Sequence, residues 1–341
     1  MFFRKFRSEL NEIDGVFQFK INTPFPVGAV SIFYFEIDGK KVFYDAGLNM
    51  RDWEKLFFSA LQDINISIKD IDYCIISHHH LDHIGLIKKF KRRNPNIQIV
   101  MGEFTHSTMK WETDRENSEE LLNEAKKIAK EMIKFGISEA QGKRLIEWHT
   151  MWPKLRRYHE PDKIVRDGEE ISFKTNKLKI IWTPGHSLGH ICVFEENNRY
   201  LFSGDHILSR ITPHVGNFLI APKYRNQHFE NILDYYLKSL DRIDALDSKI
   251  IFPAHQDVIY NPHERILEIK EHHKNRLNEI SSLIENNPMV PLKISQIHFG
   301  EDLDEINSFL ALSEVLAHLI YLESQDRVKR IEKNGKFFFS S

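Results

Sequence analysis

Cysteine is almost absent: the 341 residues hold two, Cys74 and Cys192. Each sits in an apolar run, Ile71-Asp72-Tyr73-Cys74-Ile75-Ile76 and Ile191-Cys192-Val193-Phe194. They read as reduced core thiols, which leaves no disulfide framework and no thiolate metal site. An excess of one charge is also missing. Lys and Arg number 47 against 49 Asp and Glu, a net charge of −2. Chains built around duplex nucleic acid usually carry a basic surplus, so that ligand is disfavoured as the main one. No segment approaches the uninterrupted apolar length of a membrane span. The start, Met1-Phe2-Phe3-Arg4-Lys5-Phe6-Arg7, is basic and aromatic, but Ser8-Glu9-Leu10-Asn11-Glu12 follows where a signal peptide would need its apolar core. The expectation is a soluble, cytoplasmic protein with no membrane partner. Internal repeats and low-complexity segments are absent too.

What is present is a long chain with 41% apolar residues, enough for one large domain and a small appendage. The first third alternates in β fashion: residues 15–21 and 29–37, then the turn dipeptide Asp38-Gly39 leading into residues 41–45. A helix is expected at 53–61 and a strand at 73–76. Between 105 and 152 the period becomes helical, with Leu121, Leu122, Ala125, Ile128, Ala129, Met132 and Ile133 on one face. Gly136 ends that helix, and Ser138 with Gln141 forms a capping box for the next. Strands follow at 170–173, 178–182, 200–203 and 250–253, with helices at 231–240 and 263–285. Asn286-Asn287-Pro288 marks a boundary, giving units of 1–285 and 286–341. The last part reads as a helix at 314–322, then strand, Asn334-Gly335 turn and strand, the outline of a winged helix.

Histidine is abundant, with 18 residues. The run His78-His79-His80-Leu81-Asp82-His83 directly follows the apolar strand at 73–76. Two histidines two apart at a strand end can turn toward one metal, and the Asp and His on the next turn can face a second. Imidazole nitrogen and carboxylate oxygen are ligands that zinc accepts. Three more potential ligands lie just past short buried strands: Thr183-Pro184-Gly185-His186, Ser203-Gly204-Asp205 and Pro253-Ala254-His255. A sheet that gathers its strand ends at one edge would bring them together.

In this order the residues resemble the metallo-β-lactamase superfamily, over about residues 15–285. The resemblance implies an α/β fold, a four-layer αββα sandwich with the site at one edge. It implies His78, His80 and His186 on one metal, Asp82, His83 and His255 on another, and Asp205 bridging both. Two Zn2+ ions are the implied cofactors, and iron or manganese could replace them. His80 stands where flavo-diiron oxygen reductases carry Glu, and the Asp82-type pair with a bridging Asp is not the usual pattern of antibiotic-hydrolysing members. Within the superfamily the chain is most similar to the β-lactamase-like protein 2 subgroup, which shares the helical insertion and a small C-terminal winged-helix-like domain. A hydrolase acting on a small ester, thioester or lactone through a hydroxide shared by the metals is implied, with Asp82 orienting that hydroxide. The rival readings are a single-strand-specific endoribonuclease, an iron-dependent sulfur dioxygenase and a non-catalytic binding protein. RNA as partner and a homodimer as assembly stay open.

Other residues have plainer expectations. His79 should face away from the metals, and His190 should hydrogen-bond a ligand or backbone. His206 is placed at the site mouth or in a structural role, and His214 as a pocket-lining residue. Lys88-Lys89-Phe90-Lys91-Arg92-Arg93 reads as a solvated helix end, with RNA or phosphate contact as the alternative. The helices of 105–152 read as a lid, with Trp111, Trp148 and Trp152 suited to an apolar substrate.

Overall fold

A computed structural model describes residues 6–155, 158–216 and 229–341. The basic start at residues 1–5 lies outside them.

Two sheets carry the fold. The first has strands in the order β1 (Ser8–Ile13), β2 (Val16–Asn22), β3 (Ala29–Ile37), β4 (Lys40–Tyr44), β5 (Tyr73–Ile76), β6 (Gln98–Gly102) and β7 (Lys163–Val165). The second runs β12 (Ile250–Pro253), β11 (Tyr200–Gly204), β10 (Ile191–Glu195), β9 (Lys177–Trp182) and β8 (Glu170–Ser172). Pairing becomes parallel where the functional strands lie: β4 with β5, β5 with β6, and β11 with β12. The expected turn is present, with Asp38 at φ 49° and Gly39 at φ 77°, the left-handed pair that a two-residue hairpin requires.

Alternation along β3 builds the layers. Phe33 and Phe35 face the second sheet, where Phe202, Phe252, Ile180 and Val193 meet them. Ile32 and Tyr34 point outward, where helices α1 (Arg51–Asp63) and α3 (Ile87–Arg93) cover them with Trp53, Phe57 and Phe90. The outer face of the second sheet is covered by α7 (Ile232–Asp244) and α8 (Pro262–Ile284). Helix, sheet, sheet, helix is the four-layer arrangement expected. The short α2 (Leu81–Ile84) lies between β5 and α3.

The insertion is helical, as its period indicates: α4 (Glu103–Thr113), α5 (Ser118–Lys134) and α6 (Glu139–Leu155). Ser138 and Gln141 form the reciprocal cap at 2.9 and 3.2 Å. The C-terminal part holds α9 (Pro291–Phe299), α10 (Glu305–Ser324) and the antiparallel hairpin of β13 (Lys329–Lys333) and β14 (Lys336–Ser340). Ile294, Phe309, Leu312 and Phe339 share one core with Ile181, Leu201 and Tyr236, so apolar packing runs on across residue 286. The insertion docks on this part. Trp148 meets Phe309 edge to face at 5.3 Å, Arg144 pairs with Glu305, and Lys134 pairs with Glu332 at 3.2 Å.

Two elements were not expected from the sequence, and one expectation needs correction. β1 is a strand although its residues alternate poorly, because β2 supplies its ladder. α9 lies between the boundary at 286–288 and the helix expected at 314–322, where no element is expected. Helix α10 is long and apolar enough to cross a membrane by length and composition, against the expectation that no segment is. Just over half of that stretch, 56%, is buried in this protein, and its apolar residues belong to the core described above.

Phe202 is fully buried between the sheets, stacked on Phe35 at 4.5 Å and Phe252 at 5.2 Å. Phe202→Ala is expected to lower unfolding free energy by about 3–5 kcal/mol. Urea denaturation measures it, and a loss under about 1 kcal/mol would mean that the sheets do not depend on this layer.

Candidate metal centre

Strand ends place the site. β5 delivers His78 and His80, α2 delivers Asp82 and His83, and the β9–β10 turn delivers His186. Asp205 and His255 follow β11 and β12. These seven residues fall into two groups, His78, His80, His186 and Asp205 in one, and Asp82, His83 and His255 in the other. Within each group one ligand atom per residue lies within 4.8 Å of the rest. Asp205 faces both. Its Oδ2 is 3.3 Å from His186 Nε2, and its Oδ1 is 3.3 Å from His255 Nε2 and 3.5 Å from His83 Nε2. Asp82 lies 3.6 Å from His255 Nε2 and 3.7 Å from His83 Nε2.

The far nitrogens show whether these imidazoles fit a cation. His83 Nδ1 meets the Asp45 carboxylate at 2.7 Å, His255 Nδ1 the Ala29 carbonyl at 2.5 Å, and His186 Nδ1 the His214 carbonyl at 3.2 Å. Those oxygens only accept, so each Nδ1 carries the proton. His78 Nδ1 meets Ser77 Oγ at 2.9 Å, and that hydroxyl donates its own proton to Asp45 at 2.9 Å, so it too accepts from the ring. Four rings therefore turn a lone pair inward, the arrangement expected of metal-ligating histidine. Among the described residues, His83 Nε2 and Asp205 Oδ1 are buried with no hydrogen-bond partner. A cation between them satisfies both, which is the sense in which the residues fit.

The charges agree. Burial works against a charged His83, but Asp205, Asp45 and Asp82 overcome it and hold its pKa well above the usual imidazole value. Burial likewise opposes ionisation of Asp205, and His255 and His83 reverse it, leaving its pKa well below the usual carboxylate range. The carboxylates demand positive charge at this point, supplied either by a proton on His83 or by a cation. Burial pushes His78 and His190 down, toward the neutral ligand form.

Asp45 and Ser77 are the residues that sequence reasoning missed. Asp45 was read only as the end of a strand. It sits at φ 68° and binds the Ser77 amide at 2.7 Å, the Ser77 hydroxyl and His83. The backbone after it grips α2: Ala46 N–H donates to His83 O at 2.7 Å, and Gly85 N–H donates to Gly47 O at 2.7 Å. A Cβ on Gly85 would stand 2.3 Å from Asn49 N, so only glycine allows that approach. A carboxylate closing the strand beside β5 was the available signal.

The remaining histidines separate. His79 belongs to neither group, although it is buried against His80 rather than turned to the surface. His190 donates from Nδ1 to Thr183 Oγ1 at 2.8 Å and accepts the Asp205 amide at 3.1 Å, so it holds backbone. His206 is fully buried against Tyr236, away from any mouth, with its pKa pushed by burial down to about 3. His214 lies next to His186, its carbonyl on the His186 ring. Cys74 and Cys192 are free and buried. In the basic run, Lys89 and Arg93 pair with Glu54, and Lys91 pairs with Asp162.

A model of the metallo-beta-lactamase superfamily matches residues 25–255, and one of the metallo-beta-lactamase-like C-terminal domain matches residues 277–341. Probable metallo-hydrolase YqjP of Bacillus subtilis is 24% identical over 331 residues, covering 96% of this chain and 98% of that protein. The beta-lactamase-like protein 2 homolog of Caenorhabditis elegans is 27% identical over 262 residues, 76% of this chain and 67% of that one. The crystal structure of a metallo-beta-lactamase family protein from Thermus thermophilus superposes with a TM-score of 0.74 at 24% identity, covering 96% of this chain and 99% of that chain.

Asn tolerates the left-handed backbone at position 45, so Asp45→Asn removes the charge with little strain. It is expected to weaken Zn2+ binding about 10–100-fold, read by competition with a chelator. Unchanged affinity would show that the carboxylate does not support the ligands.

Proposed function

Because the chain belongs to the metallo-β-lactamase superfamily and is similar over nearly its whole length to a probable metallo-hydrolase, we propose that it is a binuclear zinc-dependent hydrolase of an ester, thioester or lactone. The observation that carries this is the shared carboxylate: Asp205 presents one oxygen to each group of ligands. When bound, two Zn2+ ions supply a water acidic enough to ionise near neutral pH and Lewis acidity at the substrate oxygen.

The protein's own residues do the rest. His78, His80 and His186 would hold the first ion and Asp82, His83 and His255 the second, with Asp205 between the two groups. Asp82 lies 3.6 Å from His255 Nε2 and 3.7 Å from His83 Nε2, within the second group. It orients the attacking water and receives its proton. His190 and Thr183 fix the backbone of Asp205, and Ser77 with Asp45 fixes His78 and His83.

Two features favour an apolar acyl substrate over RNA. Lys89, Lys91 and Arg93 are engaged in ion pairs within the fold. Arg144 on Glu305 and Trp148 on Phe309 tie α6 to α10. Further along α6, Trp152 is 38% exposed. An aromatic surface there suits the apolar arm of an ester or thioester.

A panel of p-nitrophenyl esters, acyl thioesters, lactones and labelled single-stranded RNA, run on Zn2+-loaded protein, tests the reading. Acyl hydrolysis is expected, and cleavage of RNA alone would replace the reading with the endoribonuclease. Asp82→Asn is expected to lower kcat at least about 100-fold with KM changed far less. Equal turnover would remove Asp82 from its role.

A further inference from the structure

We propose that helix α10 of the C-terminal part is a component of the metal centre, setting the orientation and tautomer of His186 through Ser313 and His214. The proposal rests on the metal-site reading above, but its main observable does not require a bound metal.

The connection can be followed atom by atom. Ser313 Oγ donates to the Leu310 carbonyl at 2.8 Å, one turn back on α10. Its hydroxyl proton is committed there, so the oxygen is free to accept from His214 Nε2 at 2.7 Å. His214 Nε2 also lies 3.1 Å from the Leu310 carbonyl, which can only accept. Both contacts therefore put the His214 proton on Nε2. With its ring held against α10, His214 presents its own carbonyl to His186 Nδ1 at 3.2 Å. That carbonyl requires a proton on His186 Nδ1 and leaves the Nε2 lone pair facing Asp205 and His80, at 3.3 and 3.0 Å. Each donor and acceptor along the chain has one consistent assignment.

A second observation is independent of the hydrogen bonds. A Cβ on Gly216 would stand 2.6 Å from His214 Cε1 and 2.6 Å from Ser313 Oγ. The backbone passes so close to this contact that only glycine leaves room for it. Ser313 is 2% exposed, so water does not compete for its hydroxyl.

The comparison with the other ligands shows why this matters. His78, His83 and His255 are held by Ser77, Asp45 and Ala29, all from the first sheet or the ends of its strands. His186 alone among these four is held by a residue whose own anchor lies near residue 313. The centre is thus incomplete without α10, and His214 and Ser313 are positioning residues that never touch the metal.

The experiment uses full-length protein with 15N-labelled histidine and reads two quantities. The first is the His186 tautomer in metal-free protein, from long-range nitrogen–proton couplings. The second is the rate at which Zn2+ passes from loaded protein to a chromophoric chelator. Wild type should show the Nδ1-protonated pattern. Ser313→Ala, which removes one oxygen, and Gly216→Ala, which wedges the contact apart, should each give a mixed tautomer and release Zn2+ about tenfold faster or more. Arg144→Ala loosens α6 from α10 without touching the chain and should change neither. Should Gly216→Ala fail to fold, Ser313→Ala carries the test. A Ser313→Ala protein with the wild-type tautomer and release within about twofold overturns the proposal, as does an equal effect from Arg144→Ala. A wild type that shows the Nδ1 pattern yet takes up no Zn2+ fails the metal-site reading and not this one.

Discussion

Five imidazoles converge on one small volume, and four of them, His78, His83, His186 and His255, arrive with the proton on the side away from the others. That requirement shapes the surroundings of the centre. A neutral imidazole has one donor and one acceptor nitrogen, and a ring free to choose would point its proton inward as readily as its lone pair. Here an oxygen that only accepts, or a hydroxyl already committed elsewhere, stands behind each of these four rings: Asp45, Ser77, Ala29 and His214. The lone pairs then converge on a carboxylate with one oxygen toward each group. Such a cluster repels itself unless positive charge sits between its members, so the geometry and the demand for a cation have the same cause.

The fold serves this constraint. Strand ends deliver ligands because a strand is stiff and its last residues can be aimed without the backbone losing its ladder. The two sheets are held by a stack of phenylalanines around Phe202, which keeps β5 on one sheet in register with β11 and β12 on the other. Loops with few options finish the work. The Asp45–Asn49 backbone grips α2, and Gly204 gives way to His190, whose Nε2 would lie 2.6 Å from any Cβ there. The candidate ligands thus gather at one edge of the double sheet while the far nitrogens of four rings are fixed from behind.

Most of the candidate ligand set was legible from local order. His78 to His83 follows an apolar strand, and His186, Asp205 and His255 each follow another, so strand ends and small neighbouring residues were enough to find them. Asp45 was not legible as a functional residue, because its partner His83 is 38 positions away and nothing local distinguishes it from a turn aspartate. Ser77 hid beside a louder motif. The strand β1 and the helix α9 were missed because their stability comes from neighbours, a β2 ladder and a shared core, rather than from their own periodicity. The tie between His214 and Ser313 spans 99 positions and rests on a hydroxyl and a glycine, neither of which carries a pattern. The His79 expectation held in part: the ring stays out of both groups, yet it is buried, since alternation tells which side a residue faces but not whether that side is covered.

The central claim is that two cations share Asp205. Zn2+ titration of metal-free protein, followed by calorimetry, tests it most directly, with Asp205→Asn beside the wild type. The account predicts about two equivalents per chain in the wild type, and in Asp205→Asn, with the fold kept, weaker binding at both sites. Saturation of folded wild-type protein at one equivalent, or tight binding of two by Asp205→Asn, would contradict it.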